Sequence, residues 1–418
     1  MVMKNRQGWA TLVMALIVGM VVFMADGFIP SEVHAAPPVK IGYAVSMSGV
    51  FTSYGEDLRD GLNLYMDKIG HKVAGRNIEI IVEDIGSNQV NRALDVGRKL
   101  IQKNNVDILA GVIDSGSAYA LANLVEKHKT PFVISNAGAD DLTQRKTNPY
   151  IIRVSFTNSG GSHPLGVWAY EKGYRKAVVM GSDYAAGYEH VGGICQTFKK
   201  MGGKIIQEIW PPLGNQDFAP YLANVNRDAN VVMVFFAASD ALRFVKQYEE
   251  YGLKKKIPLI GKGYYLDDNI LPKQAEAADG LISESHWCFL LDTPENNEFN
   301  AAFVKKYGRR PTNIGEQGYI TGMVIAKALE KTKGEIKSEE FVKVMRSLEL
   351  KAPRGTIKFD KYGEVIQTYY IRKVEKVKGE WQSVPFKSYP AVSQFWTWTP
   401  EEYMKMTPYM EMKGKWVE

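Results

Sequence analysis

The sequence predicts an α/β protein built from two similar units, each a parallel sheet with helices on both faces. Two observations carry this. Short apolar strands alternate with helices whose apolar residues fall on one face, and the alternation halts at a polar, glycine-rich segment and then restarts. Length agrees: a chain of 418 residues exceeds the roughly 250–300 residues at which a single core stops growing.

The first unit reads in order. Lys40–Val45 (KIGYAV) is a buried strand, and Leu58, Leu62, Tyr65, Met66 and Ile69 mark one face of the helix after it. Asn77–Val82 is a second strand, followed by a helix through Val90, Ala93, Leu94, Gly97, Leu100 and Ile101. Val106–Ala110, a helix through Ala118, Leu121, Ala122 and Val125, and the strands Pro131–Ser135 and Tyr150–Val154 complete it. Thr157-Asn158-Ser159-Gly160-Gly161-Ser162 then interrupts the pattern and reads as a crossover. Beyond it, Ala177–Met180, Lys204–Ile209, Val231–Phe236 and Pro258–Gly261 are strands, with helices near 188–201, 217–226 and 239–251. Glu316–Lys331 is a strong helix, Ser338 with Glu339 and Glu340 starts another, and Thr356–Phe359 with Gln367–Ile371 form a hairpin turning at Asp360–Gly363.

The N-terminus has the form of an export signal. Lys4 and Arg6 precede the apolar run Ala10–Ala25, and Val33-His34-Ala35 supplies small residues before a cut after Ala35. The run is short for a membrane span of about 20 residues. No Cys lies near the cut, so lipid attachment has no support. Removing residues 1–35 deletes Lys4, Arg6, Asp26 and Glu32 and leaves the net charge at +6. That charge is spread out, in runs as short as Lys254–Lys256, so a nucleic-acid partner is not expected. Cys195 sits in a helical stripe with Val191, Ile194 and Phe198, and reads as a buried thiol; pairing with Cys288 stays open.

In open parallel sheets, ligands bind beyond the carboxyl ends of the strands, so the loops there carry the function. The first, Ser46-Met47-Ser48-Gly49, is not a dinucleotide fingerprint. Asp114-Ser115-Gly116-Ser117 stands directly before a helix; its hydroxyls and amides suit either an anion or ordinary N-capping by Ser115 or Ser117. Asn136-Ala137-Gly138-Ala139 is small and polar, which lets a ligand approach the backbone. His163 either reaches a cleft or simply starts a helix. No nucleophile elbow, Walker loop, zinc-type helix motif or Cys/His cluster occurs, so neither an enzyme nor a cofactor or metal is expected.

Lys40–Gly70, KIGYAVSMSGVFTSYGEDLRDGLNLYMDKIG, resembles the opening of the branched-chain amino acid type of periplasmic binding proteins. Asp114–Ser117, Ile134–Thr143, Asp183–Gly187, Gly202-Gly203 and the Phe359–Gly363 turn follow in that family's order, over residues 39–375. The resemblance implies two Rossmann-like lobes with parallel sheets, joined by three crossovers, with a ligand cleft between them. It implies 36–157 plus 288–348 as the first lobe, 158–287 plus 349–392 as the second, and 393–418 as an aromatic extension. It further implies a monomeric solute-binding component of an ABC importer that hands its solute to a membrane permease, with a receptor-linked sensor as the alternative. The crossovers, near Thr157–Ser162, Glu284–Phe289 and Leu348–Pro353, are the expected hinges.

Carried over by position, the first-lobe pocket comprises Tyr54, Ser115, Gly116, Ser117, Ala137 and Gly138. The second lobe adds Tyr184–Ala186, Phe236–Ser239 and Gly263–Tyr265, and among these Tyr184, Phe236, Tyr264 and Tyr265 are the named candidates, with His163 beside them. Amino acid binders of the family place a carboxylate after the strand ending at Gly261; this chain has Gly263-Tyr264-Tyr265 there. The expected solute is therefore a small carboxylate with a flat aromatic body, the alternative being a branched-chain or other amino acid. The tail Ser393–Trp416 is expected to pack on the lobes, anchored by Trp396 and Trp398.

Overall fold

A computed structural model of the chain describes residues 36–417. The proposed export signal lies outside them. The strands β1 (Val39–Val45), β2 (Lys72–Val73), β3 (Arg76–Asp84), β4 (Ile108–Gly111), β5 (Phe132–Ile134) and β6 (Ile151–Arg153) form one sheet in the order β2-β3-β1-β4-β5-β6. All its pairs are parallel except the β2–β3 hairpin. The second sheet holds β7 (Lys176–Gly181), β8 (Lys204–Ile209), β9 (Val231–Phe235), β10 (Leu259–Lys262), β11 (Ile282–Ser285), β12 (Glu349–Ala352), β13 (Gly355–Phe359), β14 (Val365–Val377) and β15 (Glu380–Val392). Its order is β12-β13-β14-β11-β10-β9-β7-β8, with β15 paired to β14.

The chain passes three times between the sheets. It enters the second lobe after β6 and returns after β11 as the helices Pro294–Tyr307 and Asn313–Lys331. It crosses again after the helix Ser338–Arg346 to begin β12. The return is locked by close backbone approach: a Cβ on Gly61 would lie 1.8 Å from Gly315 O, and one on Gly318 would lie 2.2 Å from Leu58 O. Only glycine lets the helices Thr52–Lys68 and Asn313–Lys331 meet at this distance.

Most of the apolar runs became strands within a residue or two of their expected ends, but the strand expected over Gln367–Ile371 runs from Val365 to Val377. The strands β2, β11 and β12 were not expected, nor was the long strand β15. It contains Pro385 and Pro390, and proline is tolerated in a sheet at an edge, which is where β15 lies. Cys195 and Cys288 are both buried and unbridged.

The tail lies across both lobes. Phe395, Tyr403, Tyr409 and Trp416 are buried. Thr399 and Glu402 form the capping box of the short helix Pro400–Met404. Arg145 of the first lobe donates to the carbonyls of Tyr403, Met404 and Met406. Glu208 of the second lobe accepts the amides of Gly414 and Trp416, each at 2.7 Å. The deep anchor is Tyr403; Trp396 and Trp398 pack half-buried beside it.

Candidate ligand cavity between the lobes

A cavity opens where the carboxyl ends of both sheets face each other, the position that parallel topology dictates. In this closed arrangement the free space is small, about 20 Å³, within a region of about 310 Å³ outside protein atoms that includes open solvent. The first lobe contributes Phe51, Tyr54, Ile113, Ser115, Asn136 and Gly138, and the crossover contributes Phe156 and Asn158. The second lobe contributes Tyr184, Ala186, His190, Phe235, Ala237 and Tyr264.

The walls are aromatic. Tyr184 sits 6.3 Å from both Phe51 and Phe235, centroid to centroid. His190 lies flat on Phe235 at 4.1 Å, and Phe156 approaches Tyr264 at 5.7 Å. Such faces suit a flat solute by stacking or edge contact. None of the fourteen lining residues is an Asp, Glu, Lys or Arg.

Polar groups bridge the lobes around this space. Tyr54 Oη donates to Asp267 at 2.6 Å and accepts the Ala238 amide at 2.9 Å, so one phenol ties the first lobe to two loops of the second. Burial, reinforced by Asp267, holds this phenol well above its ordinary pKa, and it remains the donor. Glu189 accepts from Tyr119 at 2.8 Å and from Asn158 Nδ2 at 2.7 Å across the same interface. Burial, then the neighbouring Asp140 charge, push Glu189 well above the usual carboxyl range. Both carboxyls are thus spent within the protein.

The donors left for a solute are few. Ser115 Oγ accepts from Asn158 Nδ2 at 3.0 Å, and its own proton has no acceptor among the described residues. Ser162 Oγ gives its proton to Asn158 O at 2.7 Å, so His190 Nδ1–H donates to Ser162 Oγ at 2.8 Å, and Nε2, with no partner among the described residues, is an acceptor and not a donor. Burial, with Lys262 near, keeps this ring neutral. The helix Ala185–Lys200 begins at the cavity, and no side chain caps it, which leaves its first amides for an acceptor. Gly138 is required where it stands, since a Cβ there would lie 2.0 Å from Asn158 Oδ1.

The expected site residues divide. Tyr54, Ser115, Gly138, Tyr184 and Tyr264 line the cavity. Ser117 does not: Asp114 caps its helix, taking the Ser117 amide at 2.7 Å and hydroxyl at 2.9 Å. The chain's own carboxylate occupies the place expected for a bound anion. Gly116 faces Asn88, and Ala137 is buried in the first-lobe core with its amide on Val112 O. Phe236 packs against Phe218 and Phe244, because successive residues at the end of β9 take opposite sides and Phe235 takes the cavity side. Tyr265 turns into the second-lobe core, where its hydroxyl donates to Ile282 O at 2.5 Å. His163 lies under the tail, bound to Gly193 O and Tyr403 Oη.

Phe51, Ile113, Phe156, Asn158, His190 and Phe235 were not anticipated. Strand alternation could have exchanged Phe236 for Phe235. One helical turn from Ala186 leads to His190.

Comparison with known proteins agrees with this architecture. A family model described as periplasmic binding protein matches residues 38–380. A Leu/Ile/Val-binding protein homolog of Brucella suis is 30% identical, over 82% of this chain and 88% of its own length. A solute-binding protein of an ABC transporter from Rhodopseudomonas palustris BisB5, solved in complex with 3,4-dihydroxy benzoic acid, is 34% identical; the match covers 86% of this chain and 98% of that one, with a TM-score of 0.82. Another from Rhodopseudomonas palustris, solved with benzoate, is 29% identical over 85% of this chain and 98% of that one, with a TM-score of 0.80. The chain belongs to the periplasmic binding protein family, the solute-binding proteins of ABC transporters.

Proposed function

We propose that this periplasmic binding protein captures a small aromatic carboxylate between its lobes and delivers it to an ABC permease. One observation carries the reading. The cavity wall holds seven rings, counting His190, and no charged side chain. A free amino acid would bring an ammonium group into this space with no carboxylate to meet it, and a buried unpaired charge is strongly disfavoured. A carboxylate would find the Ser115 hydroxyl and the uncapped amides at Ala185 and Ala186. The similar proteins solved with benzoate and 3,4-dihydroxy benzoic acid support the same class of solute.

The same reading makes the chain a monomeric, periplasmic binder, cleaved after Ala35, that performs no reaction on its solute. The hinges are the three crossovers, and Tyr54 and Glu189 are the contacts that close the lobes.

The Leu/Ile/Val name of the Brucella relative favours a second reading, an aliphatic amino acid. Calorimetric titration of the mature chain with benzoate, 4-hydroxybenzoate and leucine separates the two. Binding of an aromatic acid without leucine is the expected result. Tight leucine binding with no response to either acid overturns the proposal.

A further inference from the structure

Behind the first-lobe wall lies a row of polar side chains that packing alone does not require. Asn136 lines the cavity and is only 5% exposed. Its Nδ2 donates to Gln317 Oε1 at 2.6 Å and toward Tyr264 Oη at 3.3 Å. Gln317 is fully buried on the helix Asn313–Lys331, and its Nε2 meets His286 Nε2 at 3.1 Å. His286 is buried too, its ring stacked on Phe156 at 5.6 Å.

The row runs in one direction. A glutamine amide has one accepting and one donating side. With Oε1 taken by Asn136, Nε2 must donate to His286, whose Nε2 accepts and whose ring proton then sits on Nδ1. Burial, with Arg354, Lys262 and Arg372 nearby, keeps this imidazole neutral and so able to accept. Both hydrogens of the Asn136 amide are therefore committed within the protein. Its Oδ1 accepts from no described residue, although the side chain is almost wholly buried. Standing at the cavity wall, this acceptor gains a partner when a solute supplies a donor.

We infer that Asn136 Oδ1 reads a hydrogen-bond donor on the solute ring, a hydroxyl above all, and that Gln317 and His286 are positioning residues that hold this oxygen toward the cavity. The inference rests on the reading that an aromatic acid occupies the site, and it narrows the class to hydroxylated members. It also orients the solute. A carboxylate oxygen cannot face Asn136 Oδ1, because two acceptors repel, so the acid group lies toward the Ser115 hydroxyl and the first amides of the helix Ala185–Lys200, and the hydroxyl toward Asn136.

The test is a ratio of affinities by calorimetry on the mature chain, with benzoate, 3- and 4-hydroxybenzoate and 4-fluorobenzoate, which matches size without a donor. At least one hydroxybenzoate is expected to bind about tenfold tighter than benzoate and 4-fluorobenzoate, the scale of one buried hydrogen bond. In Asn136→Ala and in Gln317→Met, each checked by thermal melting, that ratio is expected to fall to within about twofold. A general loss of fit leaves the ratio untouched, so an unchanged ratio in a folded variant overturns the positioning role. Equal binding of all four acids by the unaltered protein removes this inference alone. Binding of none removes the aromatic-acid reading and this inference with it.

Discussion

His163 and His190 begin with the same chemistry and end in opposite roles. Both are buried and neutral, and both sit on helices near the crossover. His163 has no valence to spare: Nδ1 meets Gly193 O at 3.0 Å, Nε2 meets Tyr403 Oη at 3.2 Å, and Trp398 stands against its ring at 5.6 Å. His190 commits Nδ1 to Ser162 and leaves Nε2 bare beside a cavity. Burial therefore does not mark the functional residue; an unspent polar atom facing an enclosed space does. The tail creates the difference, since Tyr403 fills beside His163 the kind of space that stays open beside His190.

The largest effect should come from removing that filler. Tyr403→Ala leaves a cavity in an aromatic cluster and deprives both Ser159 Oγ and His163 Nε2 of a partner. A loss of about 5 kcal/mol of stability is expected, read by urea unfolding, with solute affinity within about twofold where the variant is folded. A large loss of affinity at unchanged stability would assign the tail to the site and break the comparison.

The next test moves the contrast to adjacent residues. Phe236 lies between Phe218 at 5.2 Å and Phe244 at 4.4 Å, so Phe236→Ala should cost about 4 kcal/mol in stability. Phe235→Ala should instead weaken an aromatic acid about tenfold, through lost ring contact, with a smaller change in melting temperature. Calorimetry and thermal melts on both variants decide it. Equal patterns would mean the wall is merely core.

These pairs show what the sequence could tell. Apolar runs marked the central strands of both sheets, such as β1, β4, β7 and β9, because their burial demands them, and topology then placed the loops at the cavity; the less apolar β12 and β15 left no such mark. Side-chain direction within those loops was not legible. Phe235 and Phe236 differ by the pleat alone, and Tyr264 and Tyr265 by one step of a tight turn. Asn136 was harder still, since its role depends on Gln317, 181 residues further along. Nothing local to Asn136 records which of its atoms is free. The Asp114–Ser117 segment misled for a different reason: its hydroxyls and amides suit an anion, and the chain supplies its own.

Acid should sharpen the histidine comparison. Burial lowers His163 from its ordinary 6.5 to about 4. Between those values the unfolded chain takes up a proton that the folded protein refuses. The stability tied to a neutral His163 is therefore fully present above pH 6.5 and is lost as pH falls toward 4. Over that window the unaltered protein should lose about 3 kcal/mol more than His163→Gln does, with both measured by urea unfolding at pH 7 and pH 4. Parallel pH curves for the two proteins would show that His163 takes up a proton under the tail.

The smallest expected effect separates two serines on one helix turn. Ser115 Oγ receives Asn158 Nδ2 and keeps its own proton free at the cavity, whereas Ser117 Oγ donates to Asp114 at 2.9 Å. A solute carboxylate can take the first proton and has no access to the second. A hydrogen bond to a charged acceptor contributes about 1.5 kcal/mol or more, so Ser115→Ala should weaken an aromatic acid about tenfold. Ser117→Ala should leave affinity within about twofold and cost about 1 kcal/mol of stability, because the Asp114 cap keeps the Ser117 amide but loses the hydroxyl. Titration of both variants with one benzoate-type acid reads the difference directly. If Ser117→Ala weakens binding as much as Ser115→Ala, then Asp114 gives up its cap when solute enters, and the helix start is an anion site after all.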